Sequence, residues 1–114
     1  MNNKEKGDFG EFVALKYLMS KGAEILDKNY KIKTGEIDII AKLNNQFIFV
    51  EVKSRSNLKY GYPSESVNNK KIKKITSTAK YYILKNNLHN ESIRFDVIEI
   101  YLNDKKINHI VNAF

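Results

Sequence analysis

Residues 35–55 read GEIDIIAKLNNQFIFVEVKSR, and three charged residues lie inside the two apolar runs of this stretch. Asp38 interrupts IDIIA, while Glu51 and Lys53 interrupt FIFVEVK. A charge removed from water is costly unless something pairs with it, so their position asks for a cause. Two carboxylates and an ammonium are residue types that can hold a hard divalent cation and act on a phosphodiester. Mg²⁺ takes oxygen ligands, commonly one or two carboxylates with water completing the shell. An ammonium beside it adds fixed positive charge where charge develops on phosphoryl oxygens. The competing reading is an ordinary ion-pair cluster of Glu36, Asp38, Glu51 and Lys53 near a solvated strand end.

Whether these groups meet depends on the turn between the runs. Asn44-Asn45 suits a two-residue hairpin turn, because asparagine tolerates positive φ. That turn predicts a register in which paired residue numbers sum to 89, so Asp38 faces Glu51, Glu36 faces Lys53 and Ile40 faces Phe49. Like charges directly opposite each other destabilise a sheet, so Asp38 against Glu51 calls for a bridging proton or cation. The other face, Ile37, Ile39 and Ala41 against Val52, Val50 and Ile48, is expected to be wholly apolar. A slip of one residue would separate the carboxylates.

The elements around this hairpin read as α-β-β-β-α-β-β. A largely buried helix is expected from about Asp8 to Ser20, closed by Gly22. On it Glu11 shares a face with Ala14, Leu15 and Leu18, which draws it toward the core. Asp8-x-x-Glu11 also reads as a capping box, a sufficient account of Glu11 taken alone. Residues 23–31 form a short edge strand. Residues 57–66 are expected to form a loop around Gly61 and the single proline, Pro63, and a second helix is expected from Ser64 to about Asn86 with Val67, Ile72, Ile75, Ala79, Tyr82 and Ile83 on one face. A strong strand at 92–102 and a weaker one at 107–114 complete the order. A hairpin apolar on both sides fits a sheet sandwiched between two helices.

The chain has 114 residues, of which 42% are hydrophobic and 29% charged, the balance of one globular domain spanning 1–114 rather than of a disordered segment. A net charge of +7 favours polyanionic partners, nucleic acid before anionic membrane, though a lysine-rich surface can also serve solubility alone. Absence of cysteine excludes disulfides and thiolate metal sites. No signal peptide or transmembrane run is evident, so a cytoplasmic location is expected. His89 and His109 show no metal-ligand spacing and read as surface or packing residues.

GDFGE (with Gly7, Gly10 and Glu11), GEIDIIA, FVEVKSR, Lys70 and RFDVI at 94–98 together resemble the YraN-type family of small bacterial proteins. That family is itself similar to PD-(D/E)XK nucleases, the archaeal Holliday-junction resolvases in particular. The resemblance runs from Gly7 to about Ile100. It implies an α/β, restriction-endonuclease-like αβββαβ core, a mixed central sheet flanked by helices. It implies metal ligation by Asp38 and Glu51, a catalytic role for Lys53 and an accessory acidic role for Glu11. The proline of the superfamily's name is absent, with Ile37 before Asp38.

The expected function is hydrolysis of DNA phosphodiester bonds, branched DNA included, by an endonuclease dependent on Mg²⁺ or Mn²⁺. Arg55 and the lysines Lys70, Lys71, Lys73 and Lys74 are expected to contact nucleic-acid phosphates; the plain alternative is a solvated helix face. A homodimer suits a junction cutter, which must cut two strands together, but no interface is legible. The alternatives are a non-catalytic nucleic-acid-binding module that keeps this fold and an adaptor for protein partners.

Overall fold

The structure, a computed structural model, describes residues 1–56 and 68–114. Helix α1 (Asn3–Ser20) leads into strands β1 (Glu24–Ile32), β2 (Gly35–Leu43) and β3 (Gln46–Arg55). Helix α2 (Asn69–Lys85), β4 (Ser92–Tyr101) and β5 (Lys106–Ile110) follow. The expected loop at 57–66 and the start of the second helix, Ser64 to Val67, lie outside the described residues.

The strands form one sheet in the order β1-β2-β3-β4-β5. Neighbours are antiparallel except β3 and β4, which run parallel because α2 lies between them in the chain. The protein is therefore α/β with a mixed five-stranded sheet between two helices, in the expected element order. On one face, Ala14 and Leu18 of α1 pack on Ile39, Ala41, Ile48, Val50, Ile98 and Ile100. On the other, Ile75 and Ala79 of α2 pack on Ile37, Ile40 and Phe49.

Helix α1 differs from expectation at its start. It begins at Asn3, and its capping box is Asn2 with Glu5: the Asn2 side chain accepts from the Glu5 N–H at 2.8 Å, and Glu5 accepts from the Asn2 N–H at 3.2 Å. Asp8 therefore lies inside the helix, where it pairs with Lys4 at 2.9 Å, and Glu11 has no capping task. The helix is also less buried than its apolar content implies. Only Gly10, Ala14 and Leu18 are buried, while Phe9, Phe12 and Met19 are about half exposed. A helix on a sheet presents a narrow stripe to it, and large residues off that stripe stay in solvent.

At the other end of the chain, β5 stops at Ile110 instead of running to Phe114. Asn112 adopts a left-handed φ of 53°, and the Ala113 N–H returns to the Phe95 carbonyl at 2.8 Å. The Phe114 ring then stacks on Phe95. His109 does more than fill space. Its Nε2 lies 2.7 Å from the fully buried Asp96 carboxylate and its Nδ1 2.9 Å from the Tyr17 hydroxyl. Arg94 reaches the same carboxylate at 2.9 Å, so a polar network ties α1, β4 and β5 together. Burial works to raise the Asp96 pKa, but the bonds from His109, Arg94 and the Asn112 N–H outweigh it and hold the carboxyl below its ordinary value.

Candidate active site

The hairpin turn is as the asparagines dictate, with φ of 51° at Asn44 and 63° at Asn45. The predicted register holds from Leu43–Gln46 through Ile40–Phe49 to Ile39–Val50. There the ladder ends, and Asp38–Glu51 and Glu36–Lys53 do not form as backbone pairs. Two observations account for the break. Asn29, at the β1 position opposite Asp38, has a left-handed φ of 51°, and the Asn29–Asp38 pair is missing from a β1–β2 register that is otherwise continuous there. Ile37 and Ile40, three apart, both face α2, so the alternation of β2 is lost at Asp38. Ile37 thus leaves the apolar face expected for it, and Glu36 is exposed beside Lys31 of β1.

Where β2 and β3 part, the Asp38 carboxylate replaces the missing backbone partner: its Oδ2 accepts the Val52 N–H at 2.8 Å. Beyond the break β3 keeps its alternation. Phe49 faces α2 whereas Ile48 and Val50 face α1. Glu51, Lys53 and Arg55 therefore project on the α2 side, and Val52 and Ser54 on the α1 side. The two carboxylates flank one opening in the sheet instead of standing across a regular ladder.

Helix α1 delivers Glu11 to the same place. Its close approach depends on Gly10, where any Cβ would overlap the Ser54 hydroxyl. Glu11, Asp38, Glu51 and Lys53 line one open cleft of about 470 Å³, together with Lys6, Arg55 and Lys71. The four residues singled out by sequence thus converge, although by a splayed hairpin rather than by direct pairing. Lys6 was not anticipated. Its Nζ donates to Ser56 at 3.1 Å, and a lone lysine in MNNKEKGDFGEF gives no sign that it will border a cleft.

The electrostatics follow from burial and crowding. Burial and then the Glu51 charge push the Asp38 pKa up to about 8, against partial relief from the Val52 N–H. Burial also raises Glu11, followed by Glu36, Asp8 and Glu51. Lys53 is lowered, by burial first and then by its neighbour Lys71. For Lys71, burial works to lower the pKa, but contact with Glu51 and the other groups outweighs it and the net direction is upward. Its Nζ lies 2.5 Å from Glu51 Oε1, and the Lys53 Nζ lies 3.6 Å from the same oxygen. Lys71 therefore turns into the cleft, whereas Lys70, Lys73 and Lys74 are exposed.

Asp38 and Glu51 are oxygen donors of the type that a hard divalent ion takes. Asp38 forms no ion pair among the described residues, and its charge is opposed by burial and by Glu51. No cluster of three or more metal-ligating side chains occurs among the described residues. Water and substrate oxygens would have to complete the shell, as they commonly do for Mg²⁺. Among the described residues no helix is long and apolar enough to cross a membrane.

Comparison with known proteins places the chain among relatives without an assigned activity. A UPF0102 protein of Clostridioides difficile is 71% identical over 114 residues, covering all of both chains. Another from Caldanaerobacter subterraneus is 48% identical, covering all of this chain and 98% of its own, and one from Clostridium novyi is 50% identical, covering 98% and 97%. Among solved structures, Pyrococcus furiosus SfsA in complex with Ca²⁺ overlaps 95% of this chain and 62% of its own at 17% identity and a TM-score of 0.36, too loose a likeness to bear on the site. This chain spans about three-fifths of the length of that structure. Residues 10–100 match the uncharacterised protein family UPF0102, and with the full-length identity to its members this shows that the chain belongs to that family, the YraN type.

Proposed function

We propose that the protein is a metal-dependent endonuclease that hydrolyses DNA phosphodiester bonds, with branched DNA among its candidate substrates. The observation that carries this reading is Asp38, a cleft carboxylate in no salt bridge among the described residues, whose pKa is raised to about 8 by burial and Glu51 although Lys71 lies near enough to feel its charge. A structural ion-pair cluster has no use for such a group, whereas a cation-binding site does. Asp38 and Glu51 are the residues that would hold Mg²⁺ or Mn²⁺. When bound, such an ion supplies an activated water and neutralises charge on the phosphoryl oxygens.

The chain's own residues supply the rest. Glu11, at the α1 wall of the cleft, orients the attacking water by accepting a hydrogen bond. Lys53 donates to a phosphoryl oxygen; burial first and then the neighbouring Lys71 lower its pKa from the ordinary lysine value. Water oxygen bonds to phosphorus as the water gives up a proton to solvent, the bond to the leaving sugar oxygen breaks, and that oxygen takes up a proton from solvent. The exposed Lys70, Lys73 and Lys74 at the start of α2, with Lys6 and Arg55 along the cleft, form a positive border for the backbone on either side.

Glu51 favours a second reading. It is already satisfied by two lysines, as the charged cluster of a non-catalytic nucleic-acid-binding module would be. Linear, flapped and four-way DNA incubated with Mg²⁺ or Mn²⁺ separates the two. Cleavage by wild type, lost in Asp38→Asn and Glu51→Gln with DNA binding retained, is the expected result. Lys53→Ala should suppress cleavage and spare metal binding. Salt-sensitive DNA binding without cleavage of any substrate would reject the endonuclease in favour of the module.

A further inference from the structure

Lys71 was expected to join its neighbours on a phosphate-facing helix surface, and the fold gives it another position. Asn68 caps α2 and accepts the Lys71 N–H at 2.9 Å, which sets Lys71 in the first turn of the helix beside the opened hairpin. Its ammonium lies on the buried Glu51 carboxylate, whose side chain is 8% exposed. Asp38, Glu51 and Lys71 are also the three side chains shared by the cleft that α1 borders and a smaller opening of about 290 Å³ bordered by α2. The ammonium held there occupies Glu51, with Asp38 lining the same two openings, and so takes up a carboxylate that a bound cation would need. The Lys71 side chain remains 38% exposed, on a flexible stem that can move outward.

We propose that Lys71 is an internal stand-in for the divalent ion, holding Glu51 in the metal-free protein and moving onto a DNA phosphate when metal and nucleic acid bind. This rests on the metal-dependent reading given above and adds a coupling to it. Metal must displace Lys71 from Glu51, and a phosphate that takes up the freed ammonium makes that displacement easier. The two ligands therefore favour each other's binding, and by linkage the effect is reciprocal. The cleft is thereby kept from holding a divalent ion tightly until a phosphate backbone is present.

The test is calorimetric titration of Mn²⁺ into wild type, Lys71→Gln and Lys71→Arg, each alone and with a nuclease-resistant phosphorothioate duplex. Lys71→Gln should bind Mn²⁺ about tenfold more tightly than wild type without DNA, a typical size for a coupling between sites. Addition of the duplex should tighten Mn²⁺ binding more in wild type than in Lys71→Gln. Lys71→Arg keeps the charge and should follow wild type. Equal Mn²⁺ affinity in wild type and Lys71→Gln would overturn the role of Lys71 while leaving the metal site standing. Tighter binding in Lys71→Arg as well would overturn it too, since charge would not be the cause. Failure of all three proteins to bind Mn²⁺ even with the duplex would overturn both this inference and the reading beneath it.

Discussion

Replacing Asp38 by asparagine is expected to stabilise the metal-free protein at alkaline pH, because it removes a charge that the fold opposes. The wild-type carboxyl is raised from 3.8 to about 8, so the folded state binds the proton more tightly than the unfolded chain. Stability from this group is therefore highest below pH 4 and falls as pH rises from about 4 to about 8. At about 1.4 kcal/mol per pH unit the ceiling on this loss is about 6 kcal/mol. Water entering the open cleft and relaxation around the charge reduce it, and about 2 kcal/mol is the expected gain for Asp38→Asn at pH 8. Asparagine keeps an oxygen for the Val52 N–H and adds an amide that can donate toward Glu51, so the splayed hairpin should persist. In a chain of this size the gain corresponds to a rise in Tm of about 10 °C. Thermal melts in EDTA at pH 4 and pH 8 would measure it, with the difference between variant and wild type shrinking toward pH 4. Asp96 titrates in both proteins and cancels from the difference. If Asp38→Asn were no more stable than wild type at pH 8, or if its advantage did not depend on pH, Asp38 would not be the opposed charge described here. Saturating Mn²⁺ should in turn raise the Tm of wild type and not of the variant.

Gly10→Ala should destabilise the fold by about 1–3 kcal/mol, because its Cβ overlaps the Ser54 side chain, and adding Ser54→Ala should recover part of the loss in a double-mutant cycle. Asp96→Asn should cost about 3–5 kcal/mol in urea melts by leaving Arg94 without its buried partner. Because the Asp96 carboxyl is held below its ordinary value, its contribution is present above about pH 4 and is lost as the pH falls further, so wild type should lose more stability than Asp96→Asn below that point. Replacing Lys70, Lys73 and Lys74 together by glutamine should reduce the salt slope of duplex binding by up to about 0.9 per lysine, while leaving any preference among DNA forms intact. An unchanged slope would remove these lysines from the interface.

Much of the architecture is carried by local signals. Alternating and β-branched runs identify β2, β3 and β4, the spacing of Ile75, Ala79, Tyr82 and Ile83 marks the inner face of α2, and Asn44-Asn45 sets the register as far as Ile39–Val50. These are short-range effects of backbone preference and side-chain period, and they can be read residue by residue. Glu11, Asp38, Glu51 and Lys53 stand out in the sequence as charges among apolar neighbours, and they share one cleft. Tertiary structure decided how they meet. The sheet opens beside the Asn29 irregularity in the neighbouring strand, where the Val52 N–H donates to Asp38 instead of to a backbone carbonyl, and no pattern within β2 and β3 alone contains β1. Helix packing decided that Gly10 brings Glu11 close, that Lys71 turns inward onto Glu51, and that His109 locks onto Asp96. Periodicity predicts which side of an element a residue takes. The partner it finds depends on how separate elements come together in space, so contacts between them stay out of reach of any one segment's sequence.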